Sequence, residues 1–481
     1  MHYIFWFRKD LRTEDNKGVS EFTKVVSAGH KFSLIYIKNK NSFKYFGEKR
    51  ISFLHNSLAE LSDVIGTKKL KLQILYGNST EIFRFLTEKY GSISLYYNIQ
   101  VEPYCIKRDS DVSEIIGKSG GNVNEFTDST IFTPGEIQNL SGDQYKVFTP
   151  FKNYVLGRLG DRHFAKIKTD FSSLDISNEL IIAQNSVKKV QSFENKKLQQ
   201  GILKGGRKEG LVLLKKFYEN GIKYYKKNRD YPAVKGTSYL SAHLHFGTVG
   251  IREALRTAKA ALKNAKDESS AIGVQTWINE LLWREFYYHM TFFNPDLTFR
   301  SFKKECDDLN WSYDENDFEK WCSGQTGYPI VDAGMRQLNN EGWMHNRLRM
   351  ITAMFLTKDL FIDWRLGEKY FADNLIDMDF ASNNGGWQWC ASTGADAQPY
   401  FRIFNPYLQS KRFDTNGDYI RKYVPELINV PLKNIHEPHL MSHDDQKKCN
   451  TIIGKDYPLP MVKHSKVKKR VLSEFKKLNK K

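Results

Sequence analysis

Apolar and polar positions change their period partway along the chain. Through residues 1–130, short apolar runs alternate with segments of helical spacing. The runs fall at 3–7, 32–37, 70–76 and 93–97, with a weaker one at 122–126. Between the second and third, Ile51, Leu54, Leu58, Leu61 and Ile65 recur at steps of three and four, the stripe of an amphipathic helix. Strand–helix alternation with apolar strands predicts an α/β domain built on a parallel five-stranded sheet, doubly wound. Ligands of such sheets bind beyond the carboxyl ends of the strands. No G-x-G-x-x-G follows the first run, so the standard dinucleotide fingerprint is excluded.

Residues 131–200 read as a connection. Thr133-Pro134-Gly135 and Ser141-Gly142-Asp143 are turn signals, and 145–159 has the spacing of a single helix. A linker of this length is expected to lie over a neighbouring domain. From 201 to 475 the strand signal fades. Helical spacing recurs at 211–224, 249–262, 274–292, 328–338, 347–360 and 368–375, which predicts an all-α second domain. In the tail, Val467, Val471, Leu472, Phe475 and Leu478 share a face and Lys and Arg predominate elsewhere. That fits a docked, solvated helix or, alternatively, a nucleic-acid arm.

Charge adds a partner class. The 481 residues carry 73 Lys+Arg against 55 Asp+Glu, a net +18. Such a surplus points to a polyanion, nucleic acid ahead of an anionic membrane surface; the plain alternative is a solvated Lys-rich surface. The five cysteines are scattered without a CxxC pair, which argues against zinc and disulfides and for a reducing compartment. No signal-peptide core and no run of about 18 apolar residues is present. A soluble cytoplasmic protein with access to DNA, monomeric and without a membrane partner, is expected.

The densest chemistry lies at 341–406, where indoles alternate with amides and guanidinium groups. That mixture suits a large, flat, partly polar ligand with nucleic acid near it. Asn346-Arg347, with Met350 one turn on, offers a planar cation beside an amide, suited to a phosphate or a base edge. Asp377 and Asp379 precede Asn383-Asn384. No His or Cys stands close enough to complete a metal shell, so ribose or ring N–H groups are the better partners and no metal is expected. Gly385-Gly386 allows a close backbone approach or a tight turn. Upstream, Gly236-Thr237-Ser238-Tyr239-Leu240-Ser241 precedes a helical segment, as a phosphate cradle or an ordinary N-cap. In 277–287, Trp277, Glu280, Arg284 and Tyr287 share a helix face, with Trp283 beside them. A carboxylate between two indoles faces a base or ring; otherwise Glu280 and Arg284 form a surface ion pair.

Together, residues 277–287, 342–350, 363–364, 377–389 and 400–406 resemble the photolyase/cryptochrome family, and most of all its class I cyclobutane pyrimidine dimer photolyases. Trp6-Phe7-Arg8-Lys9-Asp10-Leu11-Arg12, with Asp15-Asn16, is similar to that family's N-terminal motif. The likeness runs from residue 3 to about 430.

The resemblance implies an α/β antenna domain at 1–130, a linker at 131–200 and a helical FAD-binding domain at 201–475. By matching motifs it implies that Tyr225, Thr237, Ser238, Leu240 and Ser241 hold the phosphates and adenosine end of FAD. Trp277, Glu280, Arg284 and Asn346 line the same cavity, Asp377 and Asp379 contact the ring and sugar, and Asn383 faces the flavin. Glu280, Trp283, Asn346, Arg347, Met350 and Trp389 meet a flipped dimer. Arg229, Arg347 and Arg402 are the expected phosphate clamps. Excited reduced FAD lends the dimer an electron, two ring bonds break and the electron returns. Trp387, Trp364 and Trp311 match the family's tryptophan chain for photoreduction. The (6-4) photolyases carry His where Asn346 stands, so the dimer is the implied lesion. Val101-Glu102-Pro103-Tyr104-Cys105, with Tyr45 or Phe46 near the folate-contacting position, ranks a deazaflavin or FMN antenna first, folate second and an empty pocket third. The competing reading is a cryptochrome-type photoreceptor, DASH-type included, that binds FAD without duplex repair.

Overall fold

The computed structural model describes residues 1–26, 29–39, 46–182 and 199–478. Five strands, β1 (His2–Phe7), β2 (Lys31–Lys38), β3 (Leu72–Tyr76), β4 (Ile93–Asn98) and β5 (Asn122–Phe126), form one sheet in the order β3-β2-β1-β4-β5. All four pairings are parallel; Phe5 sits opposite Leu34 on one side and Tyr96 on the other. Central β1 and β4 are almost wholly buried, which is why their sequences read as unbroken apolar runs. The edge strand β5 has no buried residue, and its run was correspondingly weak.

The period of two assigns the helices to faces. Ile4 and Trp6 point to one side, where Phe83 and Leu86 of the Ser79–Tyr90 helix and Val112 and Ile116 of the Pro103–Lys118 helix cover them. Phe5 and Phe7 point to the other, where Phe22 of the Lys17–Val25 helix lies 5.7 Å from Phe5, ring to ring. Each such side chain, taken fully out of water, contributes about 1.5–3 kcal/mol. The domain is doubly wound.

The chain forms two compact units. One comprises Met1–Lys223 with Ser238–Pro295, the other Tyr224–Thr237 with Asp296–Lys481. In the first, the connection runs along the amino ends of β2 and β3. The Leu180 carbonyl accepts from Ser33 Oγ at 2.6 Å and Gln73 Nε2 at 2.8 Å. The helix expected at 145–159 is Phe148–Arg158. In the N-terminal motif, Arg8 donates twice to Asp109, at 2.7 and 2.6 Å, with its guanidinium 4.0 Å from the Tyr97 ring centre.

The second unit is helical. Its core gathers Trp321, Trp364 and Trp387 with Leu, Ile, Met and Phe of the Pro329–Glu341, Asn346–Met354 and Trp364–Asn374 helices. The single helix expected over 347–360 becomes an α-helix followed by a π-helical turn, Phe355–Leu360, ended by Phe361 at φ +59°. The wider turn carries Lys358 and Asp359 inward, both buried. Lys358 Nζ donates to the Ala391 carbonyl at 2.8 Å and to Ser392 Oγ at 2.9 Å. Asp359 Oδ1 lies 2.7 Å from His464 Nδ1. The tail helix, His464–Leu478, buries Val467, Val471 and Phe475 against Cys306, Leu309 and Phe361, the docked face its spacing predicted; residues 479–481 lie outside the described part. Gly385-Gly386 is no turn: both lie inside the Phe380–Ala391 helix. No described helix is long and apolar enough to cross a membrane.

Burial pulls the Lys358 ammonium down to about 7, with Cys390 and Cys306 opposing the shift and Lys303 assisting it. Between 7 and the ordinary value of 10.5 the unfolded chain binds the extra proton, so this group makes stability rise with pH across that window. Lys358→Met is expected to raise Tm relative to the parent at pH 7, with the gain shrinking towards about pH 10. Thermal unfolding at the two pH values checks it.

Candidate functional site

The expected site residues fall on both units, and each set stands on its own scaffold. In the first unit the scaffold is the 26-residue helix Glu268–Phe293, started by Asp267, whose carboxylate accepts from Ser270 N–H at 2.7 Å. Trp277 is buried against Phe217, ring centres 5.1 Å apart. Glu280, one turn on, is half-buried. Trp283 lies flat on Phe148 at 3.8 Å and 10°, so one face of the indole is already stacked. Arg284 reaches sideways, to the Ser129 carbonyl at 2.6 Å and the Tyr288 hydroxyl at 2.8 Å. The neighbouring Glu285 is fully buried and accepts the N–H groups of Ile131 and Phe132 at 2.9 Å. It fixes the segment after β5 to this helix.

In the 238–241 segment, Tyr239 holds φ +55° and Ser238 Oγ accepts from Leu240 N–H at 3.4 Å. The N-cap of the following Ser241–Phe246 helix is Leu240, and no side chain caps it. The ordinary N-cap reading therefore does not describe this turn.

In the second unit, Tyr225 is buried and the Thr237 hydroxyl is buried without a hydrogen-bond partner. Gly342, at φ +68°, closes the preceding helix and turns the chain into His345. His345 Nδ1 accepts from Arg347 N–H at 3.1 Å and so caps the Asn346–Met354 helix. Burial holds this imidazole down at about 4, so at neutral pH it is an uncharged acceptor. Asn346 is exposed, its amide 3.9 Å from Met350 Sδ. Arg347 donates to Asp230 at 2.6 Å and lies 4.3 Å over Phe413. Arg229 lies 3.7 Å from the same carboxylate, whereas Arg402 is exposed.

Asp377 takes two hydrogen bonds from Arg349 Nη2, at 3.1 and 2.8 Å, and Asp379 caps the Phe380–Ala391 helix through Ser382 N–H at 2.9 Å. Asn383 donates to the Glu368 carbonyl at 3.1 Å, and Asn384 to Glu368 Oε1 at 3.0 Å. Burial pushes the Glu368 carboxyl up to about 7. Trp389 is half-buried beside this set. Trp364 and Trp387 are buried and Trp311 is half-buried, and among the described residues none of the three indole N–H groups has a partner. Gly367 makes room for Trp387, because a Cβ there would stand 2.2 Å from the indole.

Taken unit by unit, these groups fit parts of a dinucleotide with a flat heterocycle. In the second unit the Thr237 hydroxyl suits phosphate, the Asp377 and Asp379 carboxylates suit sugar hydroxyls and ring N–H, and Asn383 supplies a fixed amide; in the first unit the start of the Ser241–Phe246 helix suits phosphate. A cleft of the first unit lies at the carboxyl ends of β1 and β4, the point where strand order reverses, and is lined by Lys9, Asp10, Asn98, Gln100, Glu102, Ser129 and Tyr288. Beside it, Tyr104 Oη accepts from Asn39 at 2.7 Å, and burial pushes the Cys105 thiol up to about 11. Tyr45 lies outside the described residues; Phe46 packs 4.6 Å from the Arg50 guanidinium.

Sequence reasoning missed Phe148, Asp230, Arg349, Glu368 and Phe413, each of which orients a residue it did find. Asp230 and Arg347 are far apart in the chain, as are Arg349 and Asp377. Only a nearby i,i+4 spacing would have flagged such pairs.

Residues 3–168 match the family described as DNA photolyase, and residues 277–477 the family described as FAD binding domain of DNA photolyase. The deoxyribodipyrimidine photo-lyase of Escherichia coli is 39% identical over 98% of both chains. A class III photolyase of Agrobacterium tumefaciens superposes with a TM-score of 0.85 at 35% identity, over 100% of this chain and 98% of that one. A Synechocystis cryptochrome superposes at 0.84 and 27% identity, over 98% and 99%. With both family matches in place and this identity over nearly its whole length, the chain belongs to the DNA photolyase family and is a light-dependent carbon–carbon lyase with FAD as its cofactor.

Proposed function

We propose that this photolyase splits cyclobutane pyrimidine dimers in DNA. The observation that carries the reading is the exposed Asn346 beside Met350. An amide donates hydrogen bonds but no proton, so this wall offers no acid of the kind (6-4) chemistry uses, while the electron-transfer reaction needs none. The named relatives support it: several are deoxyribodipyrimidine photo-lyases. The likeness to a cryptochrome keeps a photoreceptor as the second reading.

FAD, when bound and reduced, supplies one electron under blue light and takes it back. The residues do the rest. Thr237, Ser238, Leu240 and Ser241 are proposed to bind its phosphates, with Tyr225, Trp277, Arg284 and Asn346 enclosing it and Asp377, Asp379 and Asn383 orienting the ring. The Glu368 carbonyl holds the Asn383 amide in one rotamer. Glu280 hydrogen-bonds the flipped dimer. Trp283, backed by Phe148, presents its remaining face to it, with Trp389 as a second platform. Arg229 and Arg402 contact phosphate, and Arg347 stands with Met350 at the wall that meets the dimer. Trp387, Trp364 and Trp311 relay electrons inward. The cleft at the β1/β4 ends is the proposed antenna site, for a deazaflavin or FMN ahead of folate.

Four results test this. Purified protein with reduced flavin, illuminated with a dimer-containing duplex, is expected to restore the two pyrimidines, read by chromatography of the digested DNA. Intact dimers would favour the photoreceptor. Trp283→Ala is expected to weaken damaged-duplex binding by about 1–3 kcal/mol, the loss of one stacking platform; Glu280→Ala is expected to lower the yield of repair per absorbed photon. Trp387→Phe is expected to abolish photoreduction of oxidised flavin, followed by its visible spectrum, while protein reduced chemically still repairs.

A further inference from the structure

Three guanidinium groups of the second unit surround one carboxylate and one ring. Arg347 Nη2 donates to Asp230 Oδ1 at 2.6 Å, and Arg229 Nε lies 3.7 Å from the same oxygen. The Arg347 guanidinium lies 4.3 Å over Phe413 and that of Arg412 5.1 Å from the same ring. Arg347 Nη1 also approaches Met350 Sδ at 3.8 Å. The Arg347 side chain is 15% exposed and that of Asp230 36%, so the carboxylate is the more open member of the pair. Against the burial that opposes it, Arg347 and Arg229 keep this carboxyl below its usual range.

A half-exposed negative charge is an odd neighbour for phosphate clamps on a protein of net +18. It weakens any complex in which a phosphate approaches Arg347, because the phosphate must displace the carboxylate or sit against it. A damaged duplex also offers an extruded pair of bases, which Arg347 can meet without leaving Asp230. An undamaged duplex offers that position phosphate alone. We propose that Asp230 is a specificity-determining residue: it holds Arg347 against Phe413 and Met350, facing the lesion, and withholds it from the backbone of undamaged DNA. The proposal rests on Arg347 belonging to the lesion wall.

The test is binding of the flavin-loaded protein to two duplexes, identical except for one cyclobutane dimer, by fluorescence anisotropy across a salt series. Asp230→Asn is expected to raise affinity for the undamaged duplex several-fold and to steepen its log–log salt dependence by about one, the signature of one added phosphate contact. Affinity for the damaged duplex is expected to rise less, so the damaged-to-undamaged ratio falls. Asp230→Glu is expected to keep the parental ratio, and flavin absorbance confirms that both variants are folded. An unchanged or lowered affinity of Asp230→Asn for undamaged DNA, with an unchanged salt slope, overturns the proposal. A parent protein that binds both duplexes equally overturns instead the lesion reading beneath it.

Discussion

The first unit depends on a buried ionic cluster around Asp128. This carboxylate follows β5 and is almost completely buried. It accepts from Arg12 Nη2 at 2.6 Å, from Lys17 N–H at 3.1 Å and from Arg252. Burial alone would push its carboxyl up, but Arg12 and Arg252 outweigh that and hold it at about 2. Arg12 follows β1 and Arg252 belongs to the Ile251–Lys263 helix, so one charge cluster ties the sheet to the helices that follow residue 238. Arg12 and Arg252 also both donate to the Asp15 carbonyl, at 2.9 and 2.8 Å. Removing one member strands the others in low dielectric, at a cost of about 3–5 kcal/mol. The opening Arg-Lys-Asp-Leu-Arg motif is in this sense structural. Through Asp128, Arg12 joins the Ile251–Lys263 helix, which packs on the helix that carries Trp277, Glu280 and Trp283.

The second unit meets the opposite requirement. Its core keeps indole N–H groups of Trp311, Trp364 and Trp387 without partners, although Trp321, in the same core, donates to the Thr352 carbonyl at 3.0 Å. Trp387 meets Trp321 edge-on at 6.0 Å and Phe371 at 4.9 Å, in a slot that Gly367 opens. A core selected only for stability would fill such positions with aliphatic groups and leave no buried donor unpaired. These three indoles are the ones proposed above as a relay.

Four of the proposed site residues share a common device: a neighbour holds each before any ligand arrives. Asp377 is held by Arg349, Asn383 by the Glu368 carbonyl, Arg347 by Asp230 and Trp283 by Phe148. Pre-organisation of this kind lowers the entropy that binding must overcome. The same holding contacts also decide direction: Arg284 turns to Ser129 and Tyr288.

What the sequence determined was periodic or local. Buried central strands showed as apolar runs, the amphipathic Glu48–Gly66 helix as a three-and-four stripe, and the docked tail helix as Val467, Val471 and Phe475 on one face, because burial imposes its period on the residues themselves. The separated Trp, Asn and Arg motifs were legible as a family likeness, and the family matches bear that likeness out. What only the tertiary structure decided were relations between distant residues: the partners Asp230, Arg349 and Glu368, the stack of Phe148 on Trp283, and the π-turn that carries Lys358 and Asp359 inward. Gly385-Gly386 allowed a close backbone approach or a tight turn, and the turn is excluded because both lie inside a helix, where tertiary packing overrides a glycine's weak preference. A side chain's type limits what it can do, but its partner sets its charge state and direction, and that partner is chosen by the fold.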